Sequence, residues 1–98
     1  MIRVVYRWHV EPEHFQDFKE TWTRTTNNIH KTVNGALGSF MIKSIDNPNE
    51  IITIAKWTSV QAWKDFWGTA DPEAMKAMSK LGKRISAEAF EEIDDFTK

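Results

Sequence analysis

The side chains here that could do chemistry are mainly aromatic rings, with a few polar groups scattered among them. Trp22, Trp57, Trp63, Phe66 and Trp67 offer flat apolar surface, a slot for a polycyclic compound. Such a slot suits a reaction in which the bound aromatic ring itself donates the electrons. A protein hosting that reaction needs a dry pocket and polar groups that favour the deprotonated substrate. His30 is the candidate base near neutral pH, four residues beyond Thr26 on a helical segment. Asn27 and Asn28 follow Thr23, Thr25 and Thr26, a polar run that weakens the helix without obvious structural gain. Such a conflict points to a turn facing a ligand or an interface, and Asn28 joins the candidates on that ground. The competing reading makes the same rings core and interface filler and the polar run a solvated helix face.

Other chemistries are excluded or unsupported. The chain has no cysteine, so disulfides, thiolate nucleophiles, zinc-thiolate sites and iron–sulfur clusters are ruled out. His9 and His14, with Glu11 and Glu13 nearby, span a strand end and a helix start. That placement does not converge the rings as an i, i+4 pair on one helix would, so no metal site is expected. Thirteen basic and fourteen acidic residues are well mixed, giving a net charge of −1. Without a concentrated basic surface, nucleic acid is not an expected partner. No apolar stretch reads as a leader or a membrane span, so the expectation is a cytoplasmic protein without a membrane partner.

The elements that must position these residues follow from periodicity. Residues 2–10 alternate, with Ile2, Val4, Tyr6, Trp8 and Val10 on one face and Arg3, Val5, Arg7 and His9 on the other. Glu11-Pro12-Glu13 opens a helix over about 12–33, striped by Phe15, Phe18, Trp22, Ile29 and Val33, which Asn34-Gly35 ends. A strand over 36–45, a turn at Asp46-Asn47-Pro48-Asn49 and a strand over 50–57 form a hairpin. Thr58-Ser59-Val60-Gln61 reads as a capping box with the Thr58 hydroxyl at the cap. The helix it starts stops at Gly68, and Asp71-Pro72-Glu73 restarts it with Ala74, Met75, Met78 and Leu81 buried. For 85–96, alanine and glutamate favour helix, whereas Ile93, Phe90 and Phe96 suit a strand.

The order βαββαβ is a ferredoxin-like α+β arrangement, one domain over 1–98. Its two helices cover one sheet face and leave the other apolar and bare. Five Trp and six Phe exceed what one small core hides. Two copies pairing sheet to sheet, a homodimer, is therefore the expected working unit.

Three segments carry a family resemblance. They are Arg3-Val4-Val5-Tyr6-Arg7-Trp8 before the Glu-Pro helix start, Gly35-Ala36-Leu37-Gly38-Ser39, and Ala55-Lys56-Trp57-Thr58-Ser59-Val60-Gln61-Ala62-Trp63. The last is close to a strand-end W-x-S-x-x-A-[FWY] pattern. With these the chain resembles the antibiotic biosynthesis monooxygenase domain, a dimeric α/β barrel. The resemblance implies the fold more strongly than the reaction, because that family includes quinone-forming oxygenases, haem degraders, isomerase-like members and proteins of unknown role. It further implies that Trp57 lines a pocket between sheet and helices. In cofactor-free quinone-forming members the matching Trp follows an Asn by four residues and precedes a Tyr by six. Here those positions hold Thr53 and Trp63. Trp57 as a plain core residue at a strand–helix corner stays open as the alternative. The Asn, Trp and His expected of haem degraders are absent, with Phe66 and Lys76 at or beside the last two positions. The functional expectation is a cofactor-independent monooxygenase acting on a small aromatic or phenolic compound, using Trp57, His30 and Asn28 in catalysis and Trp22, Thr53, Trp63, Phe66 and Trp67 in binding. The alternatives are a non-catalytic barrel binding a small hydrophobic ligand, and a structural dimer whose own tryptophans close the pocket.

Overall fold

Alternating β-branched and aromatic residues at the start make a strand that buries one row of side chains and leaves the other row to a second layer. In the computed structural model, which describes residues 1–69 and 72–97, this is β1 (Ile2–His9). A 3-10 turn at Pro12–His14 leads into α1 (Phe15–Thr32), followed by β2 (Ala36–Lys43) and β3 (Glu50–Trp57). Then come α2 (Val60–Thr69), α3 (Pro72–Ser79) and β4 (Lys83–Glu91). The sheet order is β2-β3-β1-β4 with every neighbouring pair antiparallel, so β1 and β3 are central.

The helices cover the face bearing Ile2, Val4, Trp8 and Val10, all buried. Phe18 is fully buried from α1 and meets the Trp8 ring edge-on at 5.1 Å, contributing about 1.5–3 kcal/mol through burial. Trp8, Val10, Phe18, Ile51 and Met78 form one core cluster; Ile2, Val4, Ala36 and Trp57 form a second. Tyr6 packs against both and so stands between them.

Two glycines shape the end of the sheet nearest α2. Gly35 has φ +91°, which only glycine adopts without strain, and a Cβ there would fall 2.7 Å from that of Ala62. The helix therefore packs directly on backbone at this point. Gly38 has φ +105° inside an irregularity where β2 shifts register against β3. Ser39 steadies the irregularity by donating to the Ile54 carbonyl at 3.0 Å.

Several boundaries differ from the sequence expectation, each for a local reason. β2 ends at Lys43 because Ser44 begins the turn, its hydroxyl accepting from Asn47 N–H at 3.0 Å. Ser59, not Thr58, holds the start of α2, accepting from the Ala62 N–H at 3.1 Å. Gln61 does not reach back but donates to Asp65 at 2.7 Å, so no capping box forms. The ambiguous C-terminal segment is strand through Glu91 and irregular beyond it. Pairing with β1 overrides the helical propensity of its alanines and glutamates. Asp71 as a helix cap, and the side chains of Ala74 and Met75, fall outside the described residues.

The opposite sheet face is apolar and open in the single chain. Phe40, Ile42 and Phe90 are 46–50 % exposed. Register places Phe40 opposite Ile54, Ile42 opposite Ile52, and Val5 also opposite Ile54, one continuous patch. No helix among the described residues is long and apolar enough to cross a membrane.

Candidate functional site

Between α1, α2 and the covered sheet face lies a cleft with about 70 Å³ of enclosed space, part of it open to solvent. Its walls follow from the periodicities already described. α1 presents Trp22, Thr25, Thr26, Ile29 and His30, a three–four spaced row on one helix face. β3 presents Thr53, Ala55 and Trp57, alternate residues on one strand face. β1 adds Tyr6 and Trp8, and α2 adds Phe66 and Trp67.

The expected residues divide into three groups. Trp22, Thr53, Trp57, Phe66 and Trp67 lie on the wall, and His30 lies there too with an exposed side chain, so it sits at the rim. Trp63 stands behind the wall: its indole N–H donates to the Tyr6 hydroxyl at 3.0 Å and its ring tilts against Trp67 at 5.6 Å. Asn28 is exposed and not on the wall. The 100° step per residue turns it about 160° from Thr26 and about 100° from Ile29, off the cavity face.

The polar run on α1 is thus sorted by helix geometry. Thr25 and Thr26 face the cavity. Thr23 and Thr32 return their hydroxyls to the Lys19 and Asn28 carbonyls, each at 2.8 Å, so these two are satisfied within the helix without a ligand.

Trp57 is 3 % exposed, and its indole nitrogen has no partner among the described residues. A buried donor left so costs about 1–3 kcal/mol unless water or a ligand meets it. Its ring tilts against Phe66 at 5.3 Å. Thr53 is 2 % exposed and accepts from the Trp8 indole N–H at 3.1 Å. The oxygen lone pairs of Thr53 are therefore partly committed, while its proton remains to donate. Tyr6 repeats the pattern, its oxygen accepting from Trp63. Burial pushes the Tyr6 phenol above its usual 10.0, against smaller opposing effects of the Trp63 bond and the Arg84 charge. Arg84 lies 4.7 Å over the Trp67 ring, which stacks on Tyr6 at 6.0 Å.

Neither Asp nor Glu lines the cavity among the described residues. His9 instead pairs with Glu11 at 2.9 Å, and His14 lies 4.0 Å from Glu13, both pairs exposed. No group of three or more His, Asp or Glu among the described residues is placed to hold a metal ion.

Tyr6 and Trp8 are the wall residues that the sequence reading assigned only to a strand face. A lone tyrosine in an otherwise apolar row is the signal that was available. Its hydroxyl must find a partner wherever the row is buried.

Comparison with known proteins places this geometry. Among curated proteins, none matches the sequence. A cofactor-independent oxygenase from Streptomyces nogalater, SnoaB, has the same fold at 20% identity, with a TM-score of 0.76 over 99% of this chain and 97% of that one. Rv0793 from Mycobacterium tuberculosis is 14% identical with a TM-score of 0.71, covering 98% of each chain. A conserved protein from Methanosarcina mazei Go1 is 18% identical with a TM-score of 0.71 over 91% of this chain and 87% of that one. At these identities the likeness is one of fold. The sequence pattern of one family, antibiotic biosynthesis monooxygenase, matches residues 1–80, and the chain belongs to that family.

Proposed function

We propose that the protein is a cofactor-independent monooxygenase that oxidises a small phenolic or anthrone-like compound held in the helix–sheet cavity. The observation that carries this reading is the unpartnered indole N–H of buried Trp57 on the wall of an aromatic cavity. Likeness to SnoaB supports the absence of a cofactor requirement.

The chemistry needs little from the protein beyond environment. A bound phenol or anthrone loses a proton and its anion passes one electron to O₂. Recombination forms a C–O bond to a peroxide. Loss of water then leaves a carbonyl at that carbon, with one oxygen atom in the product and one in water. The substrate supplies all the electrons. Donors around the cavity stabilise the anion as it forms, and such groups act most strongly where water is excluded. Trp57 N–H and the Thr53 hydroxyl are assigned that role. His30, exposed at the rim, is assigned the role of accepting the proton and passing it to solvent. The working unit is a homodimer joined through the open sheet face, which hides Phe40, Ile42 and Phe90.

The second reading, a binding protein without catalysis, is favoured by the absence of any carboxylate on the cavity wall among the described residues. Oxygen uptake with a panel of hydroquinones and anthrones separates the two. Uptake above protein-free buffer is expected, reduced about tenfold or more in Trp57→Phe with the fold intact by circular dichroism. Unchanged uptake in that variant removes Trp57 from the mechanism. No uptake by the parent protein leaves only binding.

A further inference from the structure

The polar groups around the cavity are unevenly distributed. Trp57 brings an N–H, Tyr6 an O–H and Thr25 and Thr26 hydroxyls, while carboxylates are absent from the wall among the described residues. Ser39 has already committed its hydroxyl proton to the Ile54 carbonyl. A wall without carboxylates leaves the donors on it available to a ligand oxygen.

Tyr6 is the best defined of these groups. Trp63 donates to its oxygen at 3.0 Å, and that is its one side-chain hydrogen-bond partner among the described residues. An oxygen that accepts there directs its own proton away from Trp63. Accepting one bond also polarises the O–H and strengthens it as a donor. Stacking on Trp67 at 6.0 Å fixes the plane of the ring. The result is an oriented phenol on a cavity wall whose proton has no acceptor among the described residues.

We propose that Tyr6 is a specificity-determining residue, donating its phenolic proton to a carbonyl or phenolate oxygen of a flat polycyclic ligand, with Trp63 positioning it. This rests on the reading of the cavity as a ligand site, though not on any reaction taking place there. The ligand class that follows is a fused-ring compound bearing an acceptor oxygen. A bare hydrocarbon of the same shape leaves the Tyr6 proton unmet. Tyr6 thereby supplies from the first strand a phenol at the cavity, while position 63 carries an indole.

The test is direct binding by equilibrium dialysis with fluorenone and fluorene, which share a tricyclic frame and differ at the carbonyl. The parent protein is expected to bind fluorenone about five- to tenfold more tightly, the effect of one neutral hydrogen bond in a buried site. Greater hydrophobicity alone favours fluorene, so burial cannot produce this preference. Tyr6→Phe is expected to bring the two ligands to within about twofold by weakening fluorenone alone, and unchanged fluorene binding shows that the cavity is intact. Trp63→Phe is expected to give an intermediate preference. Equal binding of both ligands by the parent, binding of neither, or an undiminished preference in Tyr6→Phe overturns the proposal. The oxygenase reading stands or falls separately, because oxygen uptake can fail while the fluorenone preference holds, and the reverse.

Discussion

At the level of single residues, what could be read depended on whether a side chain's role came from its own row or from a partner far along the chain. Trp57 and Thr53 are legible through the family resemblance, which matches Trp57 and sets Thr53 four residues before it, and both reach the cavity wall. Asn28 was chosen for a conflict with helix propensity, but such a conflict says nothing about which way the helix turns the residue. Tyr6 escaped notice because its partner Trp63 is distant in sequence and only the folded sheet brings them together. It is also the only tyrosine in the chain, so its ionisation can be followed without interference. Burial favours the neutral phenol, so the native titration midpoint should lie above 10.0 and return to the ordinary value in denaturant. The linked effect on stability has a definite sign. The folded state resists ionisation, so the contribution of Tyr6 is intact below pH 10 and is lost as pH rises past that point. Ultraviolet difference titration and denaturation at stepped pH check both statements. A native midpoint at or below 10 would mean that the phenol is in free contact with water.

Elements were legible wherever hydrophobic periodicity ran long enough to name them. β1, α1 and β3 were all anticipated to within a few residues, because each buries one regular row. The last segment is ambiguous locally, because its alanines and glutamates favour helix, and only the βαββαβ order draws it toward the strand observed. Pairing with the central β1 strand is a tertiary effect that no local window contains. The start of α2 was misplaced by one residue for a similar reason: adjacent hydroxyls at Thr58 and Ser59 are equivalent in sequence, and the fold uses the second. Gly35 shows how tightly the joined elements fit. Gly35→Ala places a methyl group 2.7 Å from the Ala62 Cβ and 2.9 Å from the Thr58 hydroxyl, at φ +91°. A destabilisation of about 2–4 kcal/mol is expected from combined overpacking and backbone strain, read from the urea midpoint. A loss under about 0.5 kcal/mol would show that α2 can lift from β2 at little cost, which the close packing does not allow.

For the molecule as a whole, the βαββαβ arrangement follows from element order, and the sheet order β2-β3-β1-β4 agrees with it. One layer of helices shelters one sheet face, and the apolar residues on the other call for a second copy. Sedimentation at micromolar concentration should therefore report twice the 11.4 kDa of one chain. Phe40→Glu, which buries a charge in the proposed contact without touching the cavity wall, should shift that equilibrium toward single chains. A parent protein sedimenting only as a single chain would remove the homodimer from the account. The substrate was less legible than the fold, because an aromatic wall with scattered donors states a ligand's shape and polarity and little more. The central claim is that this cavity receives a ligand and is not a gap filled by the protein's own rings. A crystal structure determined after soaking with fluorenone tests it most directly. The account predicts the tricycle between α1 and the sheet, its carbonyl oxygen within hydrogen-bond reach of Tyr6 or Trp57. Rings bound only elsewhere, or a cavity closed by Trp22, Trp57 and Trp67, would contradict it.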